Sequence, residues 1–284
     1  MSFLTRQHRC WPLMGLLWIL AALLPVPLHA AAGEQEETHG NEHGEAPDHR
    51  GFYVGSNRNW FFISFLPESD QAETLGIELE SYIDTRKYSI KNISYLEVAD
   101  YPRPIPGQPP GNIFPGIEVK TGISDLLMGF WVSKKGKAHG KHHLAWGGAT
   151  QLPTASADSL GTGKWSLGPS LDYEYEAGRW FAGVIALNLW SVAGDSDRES
   201  VNYFMAKPFA YYSINDKWDA VYVPYGISVY WNKSSGEKIY FPVGGGFQRH
   251  LGKKVNVSLQ FFKNVLRPSK GTEYDLRFML EFVF

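Results

Sequence analysis

The chain has 284 residues, a formal net charge of −2, 15% aromatic residues, 29 glycines and a single cysteine. So neutral a balance carries no footprint for nucleic acid, and one thiol excludes an internal disulfide framework. Past the N-terminal region no stretch approaches the roughly 18 consecutive apolar residues of a membrane-spanning helix, so any crossing of a bilayer falls to strands.

Residues 1–30 read as a removable export signal. Arg6 and Arg9 precede an apolar run from Leu13 to Leu24, and Leu28-His29-Ala30 offers small residues for cleavage. Cys10 lies before the apolar run, so it is not an acylation site. Residues 31–50 hold six carboxylates against Arg50, which leaves 51–284 close to neutral. This stretch reads as a disordered acidic leader, with His39, His43 and His49 as part of a solvated tail rather than a metal trap.

Short alternating runs then predict strands near 57–66, 73–83 and 88–99. Residues 100–116 include Pro102, Pro104, Pro106, Pro109 and Pro110. Proline lacks the ladder donor, so the segment is expected to be a long loop over or into the mouth. Strands are predicted next near 117–134 and 142–151. The turn between them carries Lys134, Lys135, Lys137, Lys141, His139, His142 and His143. A metal or an anionic headgroup is one reading of it. Adjacent His142 and His143 point to opposite faces of a strand, which favours a solvated turn.

The alternation is clearest from residue 164 onward. Trp165, Leu167, Pro169, Leu171, Tyr173 and Tyr175 oppose Lys164, Ser166, Gly168, Ser170, Asp172 and Glu174. Phe181, Gly183, Ile185, Leu187 and Leu189 share a face, as do Val221, Val223, Tyr225, Ile227, Val229 and Trp231. Val255, Val257, Leu259 and Phe261 oppose Asn256, Ser258 and Gln260. In the last run Tyr274, Leu276, Phe278, Leu280, Phe282 and Phe284 oppose a set containing Asp275, Arg277 and Glu281. Successive strand residues face opposite ways, so these runs present one greasy and one polar face.

The edge strand of a soluble sandwich accounts for the last run alone. The repetition along the chain predicts instead an all-β, transmembrane, antiparallel up-and-down barrel of about 12 strands over residues 51–284. Ten strands with an N-terminal plug segment is the other count. Short turns at 176–179, 215–217 and 251–254 alternate with longer connections near 152–162, 193–200, 232–238 and 266–271. Outer-membrane barrels have short periplasmic turns and longer outer loops. A last strand ending in the periplasm puts every short turn there.

Under this register Lys164, Asp172, Glu174, Asn188, Gln248, Gln260, Asp275, Arg277 and Glu281 line the lumen. They either set the field of a pore or fill a narrow barrel with salt bridges. Trp60, Trp131, Trp146, Trp165, Trp180, Trp190, Trp218 and Trp231 fall near strand ends and read as interfacial anchors. The greasy set of the last strand, ending at Phe284, is the expected signal to the barrel-assembly machinery. No serine lies close to a histidine in the pattern of a nucleophile and its base, so an enzyme is not expected. Asp195, Asp197 and Glu199 beside Arg198 form an acidic loop, read as solvated charge. No cofactor or metal is called for.

Two stretches resemble a known family. Gly122-Ile123-Ser124-Asp125-Leu126 is similar to its G-x-G-D-L pattern, with Ser124 where glycine is usual. Leu152-Pro153-Thr154, with Leu160-Gly161-Thr162-Gly163-Lys164-Trp165 and Leu167-Gly168-Pro169, is similar to its L-P-T-G and L-G-T-G loop, which Ala155 interrupts. Residues 115–284 thus resemble the outer-membrane "meta-pathway phenol degradation" transporter-like family. The resemblance implies a barrel that admits hydrophobic or aromatic small molecules. The expectation is a passive channel for small solutes in the outer membrane of a Gram-negative cell, reached by signal-peptide export. The alternative is a non-conducting surface barrel whose loops bind a partner or lipopolysaccharide. The partners expected are outer-membrane lipid and lipopolysaccharide, the assembly machinery and a small solute, with no nucleic acid.

Overall fold

The computed structural model describes residues 51–60, 71–104, 117–134, 141–158, 160–268 and 271–283. The export signal, the acidic leader with its histidines, most of the proline-rich loop, Lys135, Lys137, His139 and Phe284 lie outside the described residues. The strands are β1 (Gly51–Trp60), β2 (Gln71–Asp84), β3 (Tyr88–Pro104), β4 (Ile117–Ile123), β5 (Leu126–Lys134), β6 (His142–Leu152) and β7 (Lys164–Ala177). They continue as β8 (Trp180–Gly194), β9 (Asn202–Asn215), β10 (Trp218–Tyr222), β11 (Ile227–Tyr230), β12 (Ile239–His250), β13 (Val255–Leu266) and β14 (Tyr274–Val283).

Every pairing is antiparallel and nearly all join sequence neighbours. β1 then pairs with β14, from Gly51↔Val283 to Trp60↔Tyr274, so the sheet closes on itself. β4 and β5 both pair with β3 and are one stave interrupted at Ser124 and Asp125. β10 and β11 both lie between β9 and β12 and are one stave interrupted over residues 223–226. The result is a closed barrel of twelve staves. Closure matters because hydrocarbon offers no partner to an exposed sheet edge.

The ten-strand alternative is therefore corrected to twelve staves. The first strand also begins earlier than the predicted 57–66. The run Gly51-Phe52-Tyr53-Val54-Gly55-Ser56-Asn57 is weakly patterned, and its position is set by pairing to the strongly patterned β14. The short connections between β7 and β8, β9 and β10, and β12 and β13 gather at one end, with both chain ends of the sheet. The longer ones gather at the other. These are called here the turn end and the loop end.

Inside and outside are inverted relative to a soluble domain. Trp146, Leu167, Val243, Phe247, Leu259 and Phe261 are exposed on the outer surface, while Lys91, Asp172, Ser258, Gln260 and Arg277 are buried within. Trp131 departs from the expected interfacial belt. It pairs with Lys91 across β3 and β5, which puts both inside. It is 2% exposed, and its Nε1–H donates to Ser170 Oγ at 2.9 Å. Trp146, Trp165, Trp180, Trp190, Trp218 and Trp231 remain outside and exposed.

Leu259→Arg puts a charge on the outer face of β13. It is expected to cost roughly 2–4 kcal/mol, read as an earlier urea midpoint for loss of the heat-modifiable folded band. An unchanged midpoint would mean that this face is not in hydrocarbon.

Candidate functional site

The barrel interior gathers most of the chain's buried charge. Lys91 on β3 anchors one network, its Nζ lying 3.1 Å from Glu80, 3.0 Å from Asp172 and 2.8 Å from Glu174. Glu80 also accepts a 2.6 Å bond from the Tyr82 hydroxyl. A second pair joins Glu78 on β2 to Lys207 on β9. These strands stand on opposite walls, six staves apart in either direction. The pair therefore crosses the lumen.

The interruption between β10 and β11 reaches into the interior and constricts it. Tyr222 pairs with Ala210, but Ile227 pairs with Ala206. Four residues of the broken stave thus face three of β9, and the extra residue forces a bulge. The facing stretch of β9 contains Pro208, which has no N–H to offer. Gly226 takes φ +150°, a conformation costly for other residues. Val223-Pro224-Tyr225-Gly226 leaves the ladder, with Val223 and Pro224 buried.

The freed backbone groups of Val223 are satisfied by side chains from β13 and β14, two and three staves along the ring. Val223 N–H donates to Gln260 Oε1 at 2.8 Å, and Arg277 Nη1 donates to Val223 O at 2.6 Å. Gln260 and Arg277 are directly paired on β13 and β14. Tyr225 donates its hydroxyl to Glu97 at 3.1 Å and meets Tyr95 edge-on with ring centroids 6.0 Å apart. Since β3 stands opposite this stave, Tyr225 also spans the lumen.

A cavity of about 80 Å³ lies against this constriction. Trp131, Ile185, Leu187 and Met205 line it together with Tyr225 and Arg277. Its apolar lining comes mainly from β5, β8 and β9, and Glu78, Lys207 and Arg277 supply its charge.

At the turn end a chain of bonds runs over neighbouring staves. His250 Nε2 lies 2.9 Å from Asp219 Oδ2, its Nδ1 lies 2.7 Å from Asn256 Oδ1, and Asn256 donates to Glu281 at 2.8 Å. Elsewhere at the same end, His142 points outward and stacks on Tyr173 with ring centroids 6.0 Å apart. His143 points inward, 3.8 Å from Glu174.

The loop end is organised by Asp125, at the break between β4 and β5. Its carboxylate accepts from Gln151 Nε2 at 3.0 Å, Ala155 N at 3.2 Å, Thr162 N at 2.7 Å and Thr162 Oγ1 at 2.8 Å. The two motif stretches thus form one joint, in which Asp125 takes bonds from the loop after β6. Gly122 and Gly161 allow it, because a Cβ would collide with Ser156 at the first and with Asp125 and Ala155 at the second. Arg198 donates to Asp158 O at 2.6 Å, and Lys233 pairs with Glu199 at 2.6 Å. The acidic loop is thereby engaged with its neighbours.

Of the residues predicted to line the lumen, Lys164, Asp172, Glu174, Gln248, Gln260, Asp275, Arg277 and Glu281 lie on inward-facing positions. Asn188 does not, and that assignment is corrected. Asp172 pairs with Ile185, so the odd-numbered face of β8 turns inward and Asn188 turns outward to accept from the Trp231 indole at 2.8 Å. Both faces of β8 are apolar, so alternation could not choose between them. The predicted common face of Val221 and Trp231 is likewise split. Val221 pairs with inward Tyr211 and Val229 with outward Phe204, because the bulge reverses parity between them.

Glu78, Glu80, Lys91, Glu97, Lys207 and Tyr225 were not anticipated. Alternation at Glu78, Glu80 and Tyr82 carried the signal for the first two. Nothing local announced Lys207, whose strand is apolar on both faces. Tyr274, Leu276, Phe278, Leu280 and Phe282 all face outward on β14.

No protein-family model matches the sequence, and no curated protein matches it. Among solved structures, the chain is similar to an outer membrane channel of Pseudomonas putida F1, at 12% identity over 87% of this chain and 100% of that one, with a TM-score of 0.58. At that identity the likeness is one of fold. It is also similar to the NanC porin, at 10% identity over 81% of this chain and 100% of that one, with a TM-score of 0.48.

Asp125→Ala is expected to leave the barrel folded, cost roughly 2–3 kcal/mol and open residues 153–163 to protease. Limited proteolysis of the folded protein checks this, and unchanged cleavage would refute the joint.

Proposed function

We propose that the protein is an outer-membrane channel of a Gram-negative cell that admits small solutes, hydrophobic and aromatic ones among them. One observation carries the reading. A barrel with an apolar exterior encloses a cavity lined mainly by apolar and aromatic side chains, among them Leu127, Trp131, Ile185, Leu187 and Met205, into which Glu78, Lys207 and Arg277 bring charge. A solute with a greasy body finds apolar contact there, and the few charged groups meet its polar parts and water. The fold likeness to an outer membrane channel supports the barrel on which the reading stands.

A second reading is favoured by a specific observation. Tyr225–Glu97 and Glu78–Lys207 cross the lumen, and the outer loops are knitted together. A barrel so filled suits a non-conducting surface protein whose loops bind a partner or lipopolysaccharide.

Planar-bilayer recording of the purified, folded protein decides between them. The channel reading expects discrete conductance steps, and Tyr225→Ala is expected to raise them by roughly twofold by removing the side chain that spans the lumen. Absence of steps from both proteins, with the heat-modifiable folded band intact, would leave the surface reading.

A further inference from the structure

We infer that the lumen selects cations, and that the organic solutes it takes are small protonated amines rather than carboxylates. The inference deepens the channel reading and rests on it.

The argument starts from how unevenly the interior charge is matched. Lys91 is shared among three carboxylates, those of Glu80, Asp172 and Glu174. Asp172 is 0% exposed, and among the described residues its carboxylate meets only Lys91, which it shares with two other carboxylates. At the turn end Asp219 is 5% exposed with Oδ1 unpartnered, and its other oxygen meets only His250. Glu281 is held by the Asn256 amide. Among the described residues no lysine or arginine nitrogen lies within 4.0 Å of Asp219 or Glu281.

The remaining interior cations do not restore the balance. Lys207 is matched one to one by Glu78. Arg277 holds the Val223 carbonyl, and Glu97 and Asp275 also face the interior. Lys164 places its ammonium on the Asp195 carbonyl at the loop end, where it opposes cation entry at the mouth. Among the described residues, that charge stands against an excess of carboxylates spread from mid-height to the turn end. A buried carboxylate lacking hydrogen bonds is costly, and a passing cation relieves that cost whereas an anion adds to it. Low-dielectric walls focus such a field along a narrow lumen.

The aromatic lining of the cavity adds the organic part. Tyr95, Tyr225 and Trp131 present rings to the cavity, and ring faces attract cations. The interior already uses its rings in this way, with Lys91 over Tyr82 and Arg277 over Tyr225, each 6.0 Å from the centroid. An ammonium on a short apolar body finds carboxylates and aromatic faces together.

The test is the reversal potential of the full-length folded protein in planar bilayers under a potassium chloride gradient, followed by benzylammonium and benzoate as probes with the same ring and opposite charge. Cation and anion respond oppositely to the lumen field, so each kT of potential gives about a sevenfold cation preference. A preference of that order for potassium over chloride, and for benzylammonium over benzoate, is expected. Glu174→Gln combined with Glu281→Gln is expected to move both ratios toward one. Conductance with no preference, or with preference for benzoate, overturns the inference while the channel reading stands. No conductance at all overturns both. The wild-type measurement decides even if the double variant does not fold.

Discussion

The whole structure depends on backbone hydrogen bonds that have nowhere else to go. In hydrocarbon an N–H or C=O without a partner costs several kcal/mol, so a strand there needs two neighbours. The pairing of β1 with β14 supplies the last of them. Once the ring is closed, each strand has one face toward lipid and one toward the interior. The alternation of the sequence is the consequence of that partition. The interior charges then pair across the lumen, because few other partners are within reach.

The broken stave between β9 and β12 shows how strictly this constraint is obeyed. Four residues leave the ladder, and the N–H and C=O of the first, Val223, are taken up by the side chains of Gln260 and Arg277 on β13 and β14. Pro208 faces the gap, so β9 has one fewer donor to satisfy where its neighbour departs. The inward-facing polar residues of β13 and β14 therefore do two jobs at once. They give the lumen its character, and they replace the sheet bonds that the inserted segment gives up.

Much of this was legible in the chain. Strands whose two faces differ, such as β7, β13 and β14, declare their orientation through residues like Asp172, Gln260 and Arg277. Twelve strands and the alternation of short and long connections follow from the same pattern. The failures share a physical cause. Where both faces are apolar, as on β8, only the register with β7 decides, and Asn188 falls outside. Where an extra residue enters a strand, as before Ile227, parity reverses with no mark in the hydropathy pattern. Trp131 follows its strand partner Lys91 inward although indole favours the interface. Cross-lumen partners such as Glu78 and Lys207 are 129 residues apart, so no local pattern links them.

The obstruction in this barrel is continuous with its wall. Val223-Pro224-Tyr225-Gly226 is tethered at both ends to staves bonded into the ring, so it cannot be expelled as a separate plug can. Widening the passage means swinging a four-residue tether or re-aiming side chains, with Gln260 and Arg277 giving up their backbone partners as it moves. Any opening is thus bounded in reach by the length of that tether, and it is coupled to the integrity of the wall itself.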